Sequence, residues 1–218
     1  MATLFHYVHC PFCIRVRMAL GFLGINYESV VLPYDDETTP LSLTGVKMLP
    51  IFKFDDSSPM NESLDIIKKL DINNKLNNEL STDQEIDELL NRLGSNVHSL
   101  CMPYWIYTPE FNDSSRSYFQ KKKELKRGPF YKLIQNKERF LKDLQKDLDK
   151  LETKLKPYFE NESFTIKDIM VASHIWGMYI FPEFQFSEKI NNYLQSIKKL
   201  CHFEYHEDFW KNERPVSL

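Results

Sequence analysis

Two cysteines near the start of the chain, in the run Cys10-Pro11-Phe12-Cys13, are the residues whose type and spacing best fit chemistry. Residues 3–8 predict a strand, and residues 14–23 predict a helix that ends at Gly24. The thiols therefore lie where a strand meets the first turn of a helix, and there free backbone N–H groups and the helix dipole favour thiolate over thiol. A thiolate attacks disulfides, and a second thiol three residues further on can resolve the mixed disulfide. The motif predicts thiol–disulfide exchange.

The segments that must position these thiols alternate between strand and helix over residues 1–72. Their order, β-α-β-α-β-β-α, predicts an α/β domain with a mixed four-stranded sheet. The third strand opens at Leu49-Pro50, a short return strand follows at Pro59-Met60, and helices are expected over residues 38–44 and 63–70. Residues 73–81 are polar and rich in asparagine, and we interpret them as a linker.

Residues 82–218 predict an all-helical C-terminal domain, because their apolar residues recur at three-to-four spacing. Thr82, with Glu85 three residues later, predicts the start of its first helix. One long helix is expected from Pro129 to residue 155. Thr165 and Asp168 form a capping-box pattern ahead of a mostly apolar helix, and Ser187 is placed to cap the last helix.

The composition limits the possible function classes. Charged residues make up 27% of the 218 residues and the net charge is −3, which does not favour a nucleic-acid partner. No apolar run approaches the roughly 20 residues of a membrane-spanning helix, and the N-terminus lacks a secretory signal pattern. We therefore expect a cytoplasmic protein under reducing conditions, with no membrane partner. Cys101 and Cys201 fall on apolar helical faces and are expected to be buried core thiols.

Four motifs in order resemble the glutathione transferase superfamily, and within it the large two-domain bacterial glutaredoxins. They are His9-Cys10-Pro11-Phe12-Cys13, the run from Gly45 to Ile51 around Leu49-Pro50, the run from Met60 to Ile66 around Glu62-Ser63, and Thr165-Ile166-Lys167-Asp168. The resemblance covers nearly the whole chain. It implies a thioredoxin-like N-terminal domain, an all-α C-terminal domain, and glutathione as co-substrate.

The resemblance also implies site roles. Cys10 would be the nucleophile toward glutathionylated or disulfide-bonded proteins, and Cys13 would resolve protein disulfides. Leu49-Pro50 would be the cis-proline that places the Leu49 backbone against the cysteinyl part of glutathione. Glu62 and Ser63 would form the γ-glutamyl site, with Ser63 as a helix cap. Pro11 fits the first helical turn, and Phe12 would be an exposed lip of the ligand groove. The candidate glutathione-binding residues are therefore Pro11, Phe12, Leu49, Pro50, Glu62 and Ser63. The large glutaredoxins imply a monomer.

Basic and histidine residues near the motif leave alternatives open. Arg15 and Arg17 add positive potential near the thiolate or form a solvated helix face, and we favour the solvated face. We interpret the basic run over residues 121–127 as a solvated helix face. The alternative is a docking patch for acidic substrates, or for the glycyl carboxylate of glutathione if the segment folds over the cleft. We assign no catalytic role to His6 or His9, because a thiolate of low pKa needs no general base.

Other readings of the cysteine pair have less support. A structural zinc site needs four ligands and no second paired motif exists, so no metal site is expected. Ile14 stands where a haem attachment motif needs His. Pro11 argues against a bridging iron–sulfur cluster by analogy with glutaredoxins. The rivals are a cysteine-type glutathione transferase or dehydroascorbate reductase, whose members usually lack a thiol at the position of Cys13, and a non-catalytic binding module on the same fold.

Overall fold

The computed structural model describes residues 1–55, 58–108 and 110–204. Its N-terminal part has a three-stranded sheet in the order β2-β1-β3, in which β1 pairs parallel with β2 and antiparallel with β3. Three helices accompany the sheet. The elements are β1 (Thr3–His6), α1 (Pro11–Leu23), β2 (Glu28–Val31), α2 (Thr38–Thr44), β3 (Ile51–Lys53) and α3 (Ser63–Leu70). The predicted α/β thioredoxin-like class is confirmed.

The fourth strand predicted at Pro59-Met60 is not formed as a strand. Met60 makes a single antiparallel bridge to Phe52, in which each backbone N–H donates to the other residue's carbonyl at 2.9 and 3.0 Å. In this register the next hydrogen-bonded pair would place Glu62 opposite Pro50. Proline has no N–H to donate, so the ladder stops after one pair.

Helix α1 begins three residues earlier than the periodicity predicts. Pro11 occupies its first position, where the missing N–H costs no hydrogen bond, and Cys10 is the N-cap with extended backbone angles. Gly24 ends the helix in the left-handed conformation at φ 68°, as expected. Because the helix starts at Pro11, Cys13 lies in its first turn and the backbone N–H groups of Phe12 and Cys13 are free to face the side chain of Cys10.

The rest of the described chain is helical, as predicted, and residues 205–218 of the expected helical domain lie outside the described residues. Short 3₁₀ helices span Asn78–Ser81 and Trp176–Ile180. The α-helices are α4 (Gln84–Trp105), α5 (Asp113–Arg127), α6 (Phe130–Gln135), α7 (Lys137–Lys154), α8 (Ile166–Ile175) and α9 (Glu188–Leu200). None of the helices in this part of the chain has the length and apolarity needed to cross a membrane.

Two helix boundaries differ from the sequence prediction. Asp83, not Thr82, caps α4, and its carboxylate accepts the N–H of Glu85 at 2.9 Å. The long helix expected after Pro129 is divided into α6 and α7 at Asn136. The carbonyl of Lys132 accepts both the side-chain amide of Asn136 at 2.7 Å and its backbone N–H at 3.1 Å, and the N–H of Arg139 donates to the carbonyl of Asn136 three residues back, so the helical pattern changes at this residue. The caps at Ser187 and at Thr165 with Asp168 are present as predicted.

Helix α8 joins the two halves of the molecule. All ten of its residues are buried, and it packs against both α1 and α4. Its capping carboxylate, Asp168, accepts the N–H groups of Phe159 and Thr165 at 2.7 and 2.8 Å and the hydroxyl of Tyr193 at 3.0 Å. Such a fully bonded buried carboxylate fixes the start of α8, and α8 in turn fixes the surface on which α1 and its cysteines rest.

Candidate functional site

The two cysteines of the motif differ in exposure as expected from their helix positions. Cys10 is partly exposed at the N-cap of α1, whereas Cys13 is fully buried and its sulfur accepts the backbone N–H of Tyr7 at 3.4 Å. All four cysteines are free thiols, and Cys101 and Cys201 are buried, as predicted. Cys10 is therefore the sulfur of the pair that a disulfide substrate can reach.

The local environment makes Cys10 the more acidic thiol of the pair. A hydrogen bond from the side chain of Cys13, together with the backbone N–H groups of Cys13 and Phe12, lowers the pKa of Cys10 from 9.0 to about 7, against an opposing effect of burial. Burial and the same hydrogen bond raise the pKa of Cys13 well above 9.0. The pair therefore combines a thiol that ionises near neutral pH with a buried partner that stays protonated and donates to it.

The Leu49–Pro50 peptide bond is cis, as the resemblance implies. Leu49 is buried and belongs to a small apolar cluster with Tyr7, Cys13 and Ile51. Leu49, the residue before the cis-proline, therefore shares one apolar cluster with the buried thiol of Cys13.

Glu62 and Ser63 stand at the start of α3, whose bounds match the prediction although the cap residue differs. Ser63 is the first helical residue rather than the cap, and Glu62 is the N-cap, with φ 71°. Positive φ is uncommon for a residue with a side chain, and such conformations cluster at ligand sites. Ser63 is buried and its hydroxyl accepts a hydrogen bond from the guanidinium of Arg15 at 3.3 Å, while Glu62 is exposed.

Arg15 lines the candidate site, and the solvated helix face that its sequence pattern favours is wrong for this residue. Its side chain is only 4% exposed, and its guanidinium lies 5.1 Å from the centre of the Phe12 ring. Burial lowers the pKa of Arg15 to about 10, and the charges of Cys10 and Asp87 oppose that effect. Arg17 is also partly buried, and it donates to the carbonyl of Glu204 at 3.0 Å. The helical half of the molecule covers this face of α1. The local charge pattern of the helix could not predict this burial.

A cavity of about 530 Å³ opens between the two halves beside the cysteine turn. The exposed ring of Phe12 forms one edge, as predicted, and also contacts His174 of α8 edge-on at 5.8 Å. The polar residues that line the cavity come from both halves, namely Arg15, Glu62, Ser63, Asp65, Asp87, Asn91 and His174. The cavity thus combines one buried cation, three carboxylates and a helix start, and Phe12 of the cysteine turn also lines it.

His9, the residue before Cys10, lies in an aromatic cluster from both halves of the molecule that the sequence patterns did not predict. His9 is buried among the rings of Tyr7, Tyr34, Trp105, Phe111 and Phe119. Its Nδ1 lies 3.6 Å from the buried carboxylate of Glu110, and burial lowers the pKa of His9. His6 is likewise buried, with its Nε2 at 2.8 Å from the hydroxyl of Ser29.

Helix α5 reaches from the helical half across to the loop before α2. The hydroxyl of Ser114 donates to Asp35 at 2.6 Å, and Tyr118 donates to Glu37, which also forms an ion pair with Lys47 at 3.2 Å. Lys123 of the same helix faces inward, and its charge acts on Cys10. Helix α5 therefore packs against the N-terminal half, and the solvated-face interpretation is wrong for Lys123, which is half-buried.

Comparisons with known proteins agree on both halves of the chain. A family model described as "Glutathione S-transferase, N-terminal domain" matches residues 4–78, and one described as "Glutaredoxin 2, C terminal domain" matches residues 85–208. The chain is 30% identical over 204 residues to a protein named Glutaredoxin 2 from Escherichia coli (strain K12), covering 90% of this chain and 94% of that one.

Solved structures give the same result at the level of fold. The crystal structure of Glutaredoxin 2 from Salmonella typhimurium in complex with glutathione matches with a TM-score of 0.84 and 27% identity, over 96% of this chain and 98% of that chain. The glutathione transferase GSTFuA3 from Phanerochaete chrysosporium matches with a TM-score of 0.73 at 15% identity, over 93% and 98% of the two chains, and shows the shared fold alone.

Proposed function

Because the chain belongs to the glutaredoxin 2 family, and is thus a glutathione-dependent oxidoreductase, we propose that Cys10 is the nucleophile of its reaction and Cys13 its resolving thiol. The observation that carries the assignment is the position of Cys10, partly exposed at the N-cap of α1, where the Cys13 side chain and the backbone N–H groups of the first turn lower its pKa. With a pKa of about 7, about half of Cys10 is thiolate at neutral pH.

In the proposed reaction, the Cys10 thiolate attacks the glutathionyl sulfur of a protein–glutathione mixed disulfide. The old S–S bond breaks, the protein leaves as a thiolate that takes a proton from water, and Cys10 carries the glutathionyl group. A glutathione thiolate then attacks that group, which yields glutathione disulfide and returns the Cys10 thiolate. With a protein disulfide as substrate, Cys10 first forms a mixed disulfide with one protein sulfur and releases the other as a thiolate. Cys13 then loses its proton and attacks the Cys10 sulfur, so the protein leaves as a dithiol and a Cys10–Cys13 disulfide remains. Two glutathione molecules reduce that disulfide and are released as glutathione disulfide.

Glutathione is proposed to lie extended across the cysteine turn. The Leu49 backbone, fixed by the cis bond to Pro50, is in place to pair with the cysteinyl unit. The buried Ser63 at the start of α3, with the Arg15 guanidinium on its hydroxyl, suits the γ-glutamyl carboxylate, and Glu62 suits the ammonium group. Pro11 and Phe12 complete the near edge of the groove.

Three broader features accompany the proposal. We take residues 1–72 and 82–218 as the two domains and residues 73–81 as the linker. We place the protein in the cytoplasm, where reducing conditions keep four thiols of this kind free. We expect a monomer, since the apolar faces of α4, α8 and α9 are buried within one chain.

The test is glutathione-dependent reduction of a small mixed disulfide by the wild type, Cys10→Ser and Cys13→Ser. We expect Cys10→Ser to be inactive and Cys13→Ser to keep activity on this substrate while losing activity on protein disulfides. A wild type that conjugates glutathione to electrophiles but does not reduce the mixed disulfide would instead indicate a cysteine-type transferase. A protein that binds no glutathione would indicate a non-catalytic module.

A further inference from the structure

Lys123 is a half-buried ammonium group that has no carboxylate partner in the described part of the chain. Its side chain is half-buried, and its Nζ lies 5.6 Å from the ring centre of Tyr34 and 5.4 Å from that of Phe119. Within residues 1–55, 58–108 and 110–204, it forms neither a hydrogen bond nor an ion pair. An ammonium taken partly out of water costs free energy unless an anion faces it, so this position is suited to receive one.

The neighbouring lysines are not in the same situation. Lys47 shares the Tyr34 ring, at 5.6 Å, but its ammonium is already paired with Glu37 at 3.2 Å. Lys121, Lys122 and Lys126 are exposed to solvent on the outer side of α5. Lys123 is thus the cation of the basic run that is both turned inward and unpaired.

The groups around Lys123 explain why its charge is available at the cysteine turn. Both rings under its ammonium, Tyr34 and Phe119, also contact His9, the residue before Cys10. Burial lowers the pKa of Lys123, and the nearby positive charges of Lys122, Lys126 and Arg127 act in the same direction, while Cys10 opposes them. A second anion beside Lys123 would offset both the cost of burying its charge and the repulsion from the neighbouring positive charges.

The direction of the bound tripeptide indicates which anion this is. If the γ-glutamyl end lies at Ser63 and the cysteinyl unit pairs with Leu49, an extended glutathione continues on the far side of Cys10, toward the residues before Leu49. That side is where Lys47, Tyr34 and Lys123 meet. We propose that Lys123 of the helical domain binds the glycyl carboxylate of glutathione, a role that rests on the proposed glutaredoxin function.

The assignment has a specific consequence for substrate choice. A half-buried ammonium–carboxylate contact is a charge-assisted hydrogen bond, for which loss of one partner typically changes binding about tenfold. The wild type should therefore prefer a glutathionyl substrate with a free glycyl carboxylate over the same substrate with a neutral amide in its place. Since both substrates react at the same Cys10 sulfur, any effect of Lys123 on the thiolate cancels in the ratio of the two rates.

The experiment compares two mixed disulfides of 2-mercaptoethanol, one with glutathione and one with glutathione whose glycyl carboxylate is a primary amide. The pre-reduced full-length protein is mixed with each, and the second-order rate constant for release of 2-mercaptoethanol is measured. The variants are Lys123→Met, Lys123→Arg, which keeps the charge, and Lys121→Met, which removes an exposed charge from the same run.

We expect the wild type and Lys121→Met to prefer the carboxylate substrate about tenfold, Lys123→Arg to keep most of that preference, and Lys123→Met to react with the two substrates at nearly equal rates. A preference that survives in Lys123→Met, or is absent from the wild type, would overturn the role of Lys123 alone. A wild type that releases 2-mercaptoethanol from neither substrate would overturn the proposed function itself, and with it this inference.

Discussion

Replacing Cys13 by alanine tests how the structure sets the acidity of Cys10. The hydrogen bond from Cys13 is the largest contribution to the lowering of the Cys10 pKa from 9.0 to about 7. Alanine removes this donor but leaves the backbone N–H groups of α1 in place, so the pKa of Cys10 should rise by about one unit, which corresponds to about 1.4 kcal/mol. Cys13→Ser is the matched control, because its hydroxyl still donates and the rise should be smaller.

The effect on rate follows from two opposing trends. At pH 7 the thiolate fraction falls from about one half to about one tenth when the pKa rises by one unit, but each thiolate becomes about threefold more nucleophilic. Cys13→Ala should therefore react less than twofold more slowly than the wild type near pH 7 and about threefold faster well above pH 9. The two pH–rate curves should cross.

The assay is the rate of Cys10 alkylation by iodoacetamide as a function of pH, together with the ultraviolet absorbance of the thiolate. Cys10→Ser supplies the background from the buried thiols Cys101 and Cys201, and burial raises the pKa of Cys201 to about 12. Curves for Cys13→Ala and the wild type with the same midpoint would refute the argument that the Cys13 thiol stabilises the Cys10 thiolate.

Three further substitutions test the binding site and the fold. Ser63→Ala removes the acceptor of the Arg15 guanidinium and should raise KM for a glutathionyl substrate about tenfold with little change in kcat, as measured by steady-state kinetics. Asp168→Ala leaves several buried donors unpaired and should lower the free energy of unfolding by about 3 kcal/mol in urea denaturation. Gly21→Ala would place a Cβ 1.7 Å from the carbonyl oxygen of Cys201, so α1 and the end of α9 must separate, at a cost of about 2 kcal/mol or more in the same assay.

Two of these substitutions have a control within the chain. Ser187→Ala removes a cap outside the cavity and should leave KM unchanged, and a KM for Ser63→Ala equal to that of the wild type would contradict the γ-glutamyl assignment. Gly94→Ala would meet only the side chain of His174, with the nearest atom, Cδ2, at 3.2 Å, and should cost less than Gly21→Ala. Asp168→Ala with wild-type stability would show that its hydrogen bonds do not anchor α8.

Local signals in the sequence predicted the elements of the N-terminal domain closely. The expected bounds of α2 and α3 match the structure, since Gly45 ends the first in the left-handed conformation and Ser63 begins the second. The cysteine turn was also predictable, because its chemistry depends on residues that are adjacent in the chain. The return strand was not, since its failure depends on which residue stands opposite Pro50 in the folded sheet.

Features that depend on contacts between the two halves were not predictable from local patterns. Arg15 and Lys123 look like members of solvated helix faces, and only the packing of the helical half over the cleft turns them inward. Glu110 lies in a loop with no motif, yet it meets His9 across the same boundary. The apolar periodicity continues through Asn136, so it does not show that the helix divides at this residue, whose side chain bonds back to the carbonyl of Lys132.

The measurement that tests the central claim most directly is to trap the covalent intermediate. The Cys13→Ser variant, incubated with a glutathionylated protein, should accumulate one glutathionyl group per chain, and peptide mapping by mass spectrometry should place that group on Cys10. Addition of free glutathione should remove it as glutathione disulfide. A glutathionyl group found on Cys101 or Cys201 instead of Cys10, or no adduct at all, would contradict the assignment of Cys10 as the nucleophile.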